Sequence, residues 1–322
     1  MRAFPVNRKS GKVSFCCGPG ASVSMRALIH PPLAGLSLLP NEQTKNPWRP
    51  KRRFVGPSQR PAHAGGRPRP DRGRVAAAEG AEAHGPVRLF GLHAVEAALK
   101  NPARRVLRLM LTENAERRLR ESVGAPLPAV ERVGPRDLDR LLGPDTVHQG
   151  ALLETEPLPE PDLCALAQGA KGRPLIVLDQ VTDPHNVGAV LRSAAVFGAS
   201  GVVMTRRHSP PLNGVLAKSA SGALELVPVA LVPNLSRALE ELKSYGFAII
   251  GLDGAAEDCI EKIAWSKPTA LVMGSEGKGL RELTRKTCDK LARITSDGLI
   301  GSLNVSNAAA ITLHTAMLAR KK

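Results

Sequence analysis

The stretch Leu175-Ile-Val-Leu-Asp179, followed by a polar loop and the helical pattern of residues 186–197, decides the fold of the C-terminal half. Its near-continuous apolar run is typical of a strand buried on both faces of a parallel sheet. Short apolar runs recur towards the C-terminus at 201–204, 226–231, 247–250 and 269–273. Because helical patterns separate these runs, the sequence predicts a doubly wound, parallel α/β sheet over residues 174–322.

The loops after three of these predicted strands are the candidate functional site, because ligands of such sheets bind at the carboxyl ends of the strands. The loop after Asp179 leads through Asn186, at an expected helix N-cap, into a helix that carries Arg192. Helix capping alone explains an isolated Asn186, whereas an amide and a guanidinium beside a strand-end cleft suit a phosphate or a ribose. The other two loops follow Met273 and Ile294, and we expect all three to converge.

The loop after Met273 reads Gly274-Ser-Glu-Gly-Lys-Gly279 and lets the backbone pass close to a ligand. Only two residues separate its first glycine from the Gly-Lys pair, so it is not a nucleotide-binding P-loop, and it does not match the dinucleotide pattern G-x-G-x-x-G. The last loop leads into the final predicted helix. Its Ser302 and Asn304 are either plain helix caps or polar groups of a site.

The positive charge of the chain is concentrated near its N-terminus. Residues 1–85 hold 15 Lys/Arg against 4 Asp/Glu and 11 of the 27 prolines, in a chain of 322 residues with a formal net charge of +16. This composition predicts a disordered basic tail, and the excess of cations favours nucleic acid as a partner. A solvated tail without a partner, a transit peptide and translation from Met25 are the alternatives for this segment.

Cysteine usage and hydropathy argue against a metal-binding, a disulfide-bonded or a membrane-spanning protein. The five cysteines form no C-x-x-C pair and have no histidine at ligand spacing, so we expect no metal site, no disulfide framework and a reducing, cytoplasmic location. No apolar run reaches the length of about 18 residues that crosses a bilayer. Residues 86–157 alternate short strands and helices as a small α/β domain, and the proline-bearing segment 158–173 is interpreted as a linker.

Three motifs together resemble those of the SpoU/TrmH family of RNA 2′-O-ribose methyltransferases. They are Asp183-Pro-His-Asn-Val-Gly-Ala-Val-Leu-Arg192, Val272-Met-Gly-Ser-Glu276-Gly-Lys-Gly-Leu and Ser302-Leu-Asn304-Val-Ser-Asn-Ala. Their order, spacing and strand–loop–helix context all match the family. The resemblance implies a SPOUT domain, which is a parallel α/β sheet whose C-terminal part is threaded into a deep trefoil knot.

The resemblance also implies a cofactor and a set of site residues. S-Adenosylmethionine binds in the knot through backbone groups that match Gly274, Ile294 and Leu303. The ribose 2′-oxygen displaces the sulfonium methyl group in line, so that positioning and removal of the 2′-hydroxyl proton control the rate. A guanidinium is a poor proton acceptor, so we assign Arg192 to gripping the target phosphate. The polar active-site residues of the family match Asn186, Arg192, Glu276, Ser302 and Asn304.

The segments Gly91-Leu-His-Ala-Val95 and His148-Gln-Gly150 resemble the L30e-like substrate-binding domain of the family branch that modifies a guanosine of 23S ribosomal RNA. Relatives that methylate transfer RNA typically lack this domain, so the resemblance favours 23S ribosomal RNA over transfer RNA. A non-catalytic RNA-binding protein on the same fold is a further alternative. The resemblance also implies a homodimer with an active site completed across the interface. Thr295 departs from the proline that family members often have after Ile294.

Overall fold

The structure, a computed structural model, describes residues 85–298 and 302–320. The predicted basic tail, residues 1–85, therefore lies outside the described residues except for Gly85. The strands are β1 (Val87–Phe90), β2 (Val106–Leu111), β3 (Val130–Arg132), β4 (Ala151–Thr155), β5 (Leu175–Asp179), β6 (Gly201–Thr205), β7 (Val229–Val232), β8 (Ala248–Leu252), β9 (Thr269–Gly274) and β10 (Lys290–Ala292). The α-helices are α1 (Leu92–Lys100), α2 (Glu113–Val123), α3 (Pro135–Leu142), α4 (Leu163–Gly169), α5 (Pro184–Phe197), α6 (Gly214–Ala220), α7 (Leu235–Ser244), α8 (Glu282–Thr287) and α9 (Val305–Arg320).

The C-terminal sheet has six strands in the order β10-β8-β9-β5-β6-β7, and every neighbouring pair is parallel. Alternate residues of β5 pack on opposite faces of the sheet. Ile176 and Leu178 belong to a core with residues of α5, α6 and α9, whereas Leu175 and Val177 pack with residues of α4 and α7. Helices therefore cover both faces, and the predicted parallel α/β fold is confirmed. We call β5–β10 with their helices the six-stranded unit.

The N-terminal sheet has four strands in the order β1-β4-β2-β3. The pairs β1/β4 and β4/β2 are antiparallel, and β2/β3 is parallel. Residues of α1 and α2 pack in a core with Leu89, Leu109 and Leu153 of this sheet. Residues 87–155 thus form a four-stranded sheet with three helices, and we call β1–β4 with α1–α3 the four-stranded unit.

Three local features differ from the sequence predictions. Asn186 is not the N-cap of α5, because the helix begins two residues earlier at Pro184 and the side chain of Asp183 accepts the cap hydrogen bond from the His185 N–H at 3.0 Å. The helix predicted over 212–224 ends at Ala220 and resumes as a 3₁₀ turn. The segment predicted as a linker contains α4, which packs against the six-stranded sheet through its buried leucines.

Apolar residues of both sheets pack in one continuous core. The cluster joins Leu89 and Val95 of the four-stranded unit to Val190 and Leu216 of the six-stranded unit. At Gly214 the first turn of α6 approaches β1 so closely that an added Cβ would lie 2.6 Å from the Arg88 carbonyl oxygen and against the Phe90 ring. The position of the small sheet against α6 is therefore set by direct backbone contact.

A buried ion pair fastens the same interface. The guanidinium of Arg104 contacts the carboxylate of Glu225 at 3.0 Å, and the side chains are only 2% and 3% exposed. Asn101 donates a further hydrogen bond to Glu225 at 2.8 Å, and Arg104 also donates to the Glu156 carbonyl oxygen at 3.0 Å. Such a pair is favourable only where hydrogen bonds satisfy both partners, as they do here. The two units are thus held in one defined arrangement.

Candidate active site

A tight turn follows β9 at the carboxyl edge of the six-stranded sheet. The Gly279 N–H donates to the Ser275 carbonyl oxygen at 2.9 Å and folds the turn back on the strand. A Cβ at Gly274 would fall on the backbone of Gly279 and Leu280. The chain's own backbone therefore requires glycine at 274, which is a different reason from the ligand approach that we predicted.

Polar side chains from three distant motifs meet beside this turn. The Glu276 carboxylate accepts hydrogen bonds from the amide groups of Asn186, at 2.8 Å, and of Asn304. Asn304 also donates to the Asn186 side-chain oxygen at 3.0 Å. We call these three residues the amide–carboxylate cluster. Since its members come from the starts of α5 and α9 and from the β9 turn, the predicted convergence of the loops is confirmed for these residues.

The starts of the two helices hold the amides in place. Asn186 lies in the first turn of α5, which Asp183 caps. The carbonyl oxygen of Asn304 accepts the first hydrogen bond of α9 from Ala308 at 3.0 Å, and its side-chain oxygen accepts from the Ser306 N–H at 2.8 Å. Asn304 is therefore both a helix cap and a member of the cluster, so the two alternatives left open for it are compatible.

A cleft of about 540 Å³ opens next to the cluster at the same edge of the sheet. Glu276 and Ser302 lie in its wall, together with all three predicted cofactor-binding residues, Gly274, Ile294 and Leu303. Apolar residues such as Met273 and Ala292 also line the cleft, together with the glycines of the β9 turn. Its volume falls within the range of about 300–1,000 Å³ that is usual for small-molecule and cofactor sites.

Among the predicted site residues, Arg192 alone belongs neither to the cluster nor to the wall of the cleft. It lies on α5 six residues after Asn186, which places it about 120° around the helix and about 9 Å along its axis. Its side chain is exposed and makes no hydrogen bond or ion pair with the residues that the structure describes. Within one chain, Arg192 is thus available to a ligand or to another molecule.

Two contacts that shape the cleft were not predicted from the sequence. The buried carboxylate of Asp179, at the end of β5, accepts hydrogen bonds from the Arg281 backbone N–H at 3.0 Å and from its Nε at 2.6 Å. This pair fixes the end of the β9 turn. The sequence does show an acidic residue, Asp179, at the end of an apolar run. Its partner Arg281 lies 102 positions away, so no local pattern predicts the pair.

The second contact holds the loop after Ile294. Thr295 donates through its backbone N–H and its hydroxyl to Glu261, at 3.3 and 3.0 Å. Burial works to raise the pKa of Glu261, but hydrogen bonds from its own backbone and from Thr295 outweigh burial, so the pKa lies below its ordinary value. The residue that departs from the family pattern is therefore an anchor for the wall of the cleft.

The described ranges offer no metal-binding cluster of three or more His, Cys, Asp or Glu side chains. No helix in those ranges is long and apolar enough to cross a membrane. Burial raises the pKa of the Cys288 thiol to about 12, so this cysteine is not a nucleophile at neutral pH. The lining of the cleft combines carboxylate, hydroxyl and backbone groups with the cationic side chains of Lys278, Arg285 and Arg293.

Comparison with known proteins places these features in a family. Residues 173–314 match the SpoU rRNA Methylase family, and residues 88–161 match the family of RNA 2′-O ribose methyltransferase substrate-binding domains. The chain is 42% identical over 237 residues to the 23S rRNA (guanosine-2′-O-)-methyltransferase RlmB of Ralstonia nicotianae, covering 72% of this chain and 95% of that protein. It is 40% identical over 235 residues to the RlmB of Pseudomonas aeruginosa, covering 70% and 94%.

Solved structures support the fold. The SpoU methyltransferase AviRb of Streptomyces viridochromogenes superposes with a TM-score of 0.63 at 22% identity, covering 74% of this chain and 90% of that chain. An rRNA methyltransferase of Sinorhizobium meliloti superposes with a TM-score of 0.61 at 24% identity, covering 72% and 86%. Both matches cover more of the chain than the six-stranded unit alone.

Proposed function

We propose that the substrate of this chain is a guanosine of 23S ribosomal RNA. The chain belongs to the SpoU rRNA Methylase family and is an S-adenosylmethionine-dependent RNA 2′-O-ribose methyltransferase. Family membership agrees with the resemblance of the three motifs. The single observation that carries the proposed site is the meeting of Asn186, Glu276 and Asn304 beside the cleft, in whose wall Glu276 lies. Residues 118 positions apart meet there in a geometry that helix capping alone does not require.

We propose that the cleft is the cofactor site, with backbone groups of Gly274, Ile294 and Leu303 as its binding groups. The cleft has the volume and the mixed apolar and main-chain lining that a bent, partly polar cofactor requires. When bound, S-adenosylmethionine supplies an activated methyl group. The residues of this chain bind and orient it and exclude water from its apolar part.

The amide–carboxylate cluster is proposed to position the ribose. Both amides donate to Glu276, which fixes the carboxylate at the entrance and leaves its second oxygen, Oε2, open to a hydroxyl group. Ser302 lies in the same wall and offers a further hydroxyl. Holding the 2′-oxygen in line is worth several orders of magnitude in rate, so the rigidity of these hydrogen bonds is the contribution of the cluster.

Arg192 is proposed to grip the phosphate next to the target nucleotide in the active site of a second copy of the chain. Its exposure and its distance from the cluster along α5 support this assignment. The adjoining surface of α5 and α9 carries Val196, Ile311 and Leu318, which are 68%, 39% and 48% exposed. Apolar side chains exposed on packed helices favour a partner surface, and a homodimer would cover them.

The remaining features of the proposal concern architecture and location. We propose that residues 86–157 form an L30e-like RNA-binding domain, that 158–173 connect it to the methyltransferase domain 174–322, and that the latter is threaded as a trefoil knot. The position of α9 beside α5 and the loop after β10 at the same cleft support the threading. The basic residues of 1–85 would add affinity for RNA. A ribosomal RNA substrate supports a cytoplasmic location for the enzyme.

The test compares substrates directly. Purified protein is incubated with labelled S-adenosylmethionine and either 23S ribosomal RNA or transfer RNA from a strain that lacks the gene, and the 2′-O-methyl positions are then mapped. We expect methylation of one guanosine in 23S ribosomal RNA. Methylation of transfer RNA alone would establish the alternative substrate, and calorimetry that detects no cofactor binding would favour a non-catalytic RNA-binding protein.

A further inference from the structure

Two polar side chains, one from each unit, meet over Gly91, a buried residue between β1 and α1 at the contact of the four-stranded unit with α6. The Gln149 side-chain oxygen and the Lys218 side chain converge on it, since both lie about 3.3–3.5 Å from the point that a Gly91 Cβ would occupy. Gln149 uses its oxygen to accept the Leu92 N–H at 3.0 Å, which leaves its NH₂ group free as a donor. We call Gly91, Gln149 and Lys218 the seam notch.

Lys218 differs in its charge environment from most cations nearby. Most of the arginines and lysines of the four-stranded unit pair with carboxylates, in Arg88–Glu154, Lys100–Glu96, Arg104–Glu225, Arg105–Glu156, Arg108–Glu131, Arg120–Glu116, Arg132–Glu116 and Arg140–Asp137. Lys218, by contrast, makes no hydrogen bond or ion pair with any residue in the described ranges, although its stem is half-buried over Gly91. Its positive charge is therefore available to an external anion.

The seam notch is connected to the active site through two short contacts. Ser219, the residue after Lys218, donates from its hydroxyl to the His185 carbonyl oxygen at 3.0 Å. His185 precedes Asn186 of the amide–carboxylate cluster, and the close approach of α6 to α5 at Gly188 leaves no room for a Cβ there. The buried Arg104–Glu225 pair joins the four-stranded unit to the 3₁₀ turn that follows α6. The residue next to Lys218 is thus in direct contact with the first turn of α5, which carries Asn186 of the cluster.

We infer that the seam notch binds a phosphate of the substrate RNA and thereby aligns the strand that enters the active site. The ammonium of Lys218 and the free NH₂ of Gln149 supply the donors, one from each unit of the protein. This inference rests on the proposed function, because it assigns an additional contact to the same RNA. Lys218 and Gln149 act as positioning residues, since neither reaches the reacting atoms.

Packing alone is the competing explanation for Lys218, and Lys218→Met separates the two. Methionine keeps an unbranched apolar stem over Gly91 but removes the charge. If Lys218 contacts a phosphate, K218M weakens RNA binding by roughly three- to tenfold and lowers the slope of log K against log salt by about 0.7–0.9, as for one lost phosphate contact. K218R should retain the wild-type affinity and slope.

The measurements use the full chain and the shortest 23S ribosomal RNA fragment that it binds, titrated at several salt concentrations, with cofactor affinity measured in parallel. Lys171→Met is the matched control, because Lys171 is exposed at the amino end of β5, on the opposite edge of the sheet from the active site. We expect K171M to match wild type in affinity and slope. Loss of RNA affinity by K218M together with a raised KM and an unchanged cofactor affinity supports the inference.

Unchanged RNA affinity and slope in K218M would overturn the inference, as would an equal loss in K218R. Gln149→Glu is a second test of RNA binding at the seam notch, and it does not depend on the folding of K218M. Glutamate keeps the acceptor for the Leu92 N–H but replaces the donor by a negative charge, so Q149E should also weaken RNA binding. Because binding is measured apart from methylation, a wild-type protein that binds the fragment without methylating it would contradict the proposed function and not this inference.

Discussion

Replacing Glu225 by glutamine removes one charge from the buried pair that fastens the two sheets together. The Arg104 guanidinium would then remain buried, at 2% exposure, opposite a neutral amide. Breaking a buried pair by removing one partner costs about 3–5 kcal/mol, and the amide retains one acceptor, so we expect a loss near the lower limit, about 3 kcal/mol. For a folded region of this size, that loss corresponds to a melting temperature lower by roughly 6–12 °C.

The assay is thermal unfolding of E225Q beside a control variant, Glu131→Gln. Glu131 pairs with Arg108 at 2.7 Å on the surface, with both side chains 47% exposed, so solvent screens the pair and the control should melt with the wild type. A double variant in which methionine replaces both Arg104 and Glu225 should recover much of the loss, because no buried charge remains. An E225Q protein that melts with the wild type would refute the assignment of this pair as the fastening of the interface.

Four further predictions concern the cleft, Arg192, the amide–carboxylate cluster and the buried Cys288. Gly274→Ala should abolish cofactor binding measured by calorimetry, because the added methyl group displaces the β9 turn; normal binding would mean that the turn adapts. Arg192→Ala should nearly abolish methyl transfer while cofactor affinity stays close to wild type, and equal loss of both would count against a role at the phosphate. Asn304→Ala should lower kcat by about tenfold or more through loss of the cluster, whereas full activity would reduce Asn304 to a helix cap. Cys288 should resist alkylation in the folded protein at pH 8, since its raised pKa keeps the thiol protonated; rapid labelling would contradict its burial.

The sequence predicted those elements whose pattern is unambiguous. The buried run of β5 and the helical spacing after it fix a parallel sheet, and the rule of carboxyl ends places Asn186, Glu276 and Asn304 near one another. The prediction from the sequence was wrong where one local signal fits two different helix starts. Asn186 is a good N-cap residue, but Asp183 followed by Pro184 is a stronger start for α5.

Other features depend on contacts that no local pattern carries. The strand β3 is short and polar, so it forms only because β2 pairs with it. The ion pair Arg104–Glu225 joins residues 121 positions apart, and either residue alone resembles an ordinary surface charge. The position of Arg192 away from the cluster follows from helix geometry, whereas the proposed role at a phosphate in a second copy of the chain has no local sequence signal.

The continuous core affects how the two halves of the protein fold during synthesis. Leu89 and Val95 pack in the same cluster as Val190 and Leu216, although the two family matches divide the chain between them. A gene fragment that encodes either half alone would leave apolar side chains in contact with water, so we expect each half to aggregate when it is produced separately. On the ribosome, the first half emerges before its packing partner has been translated. The two family matches therefore divide a chain that folds around one shared core.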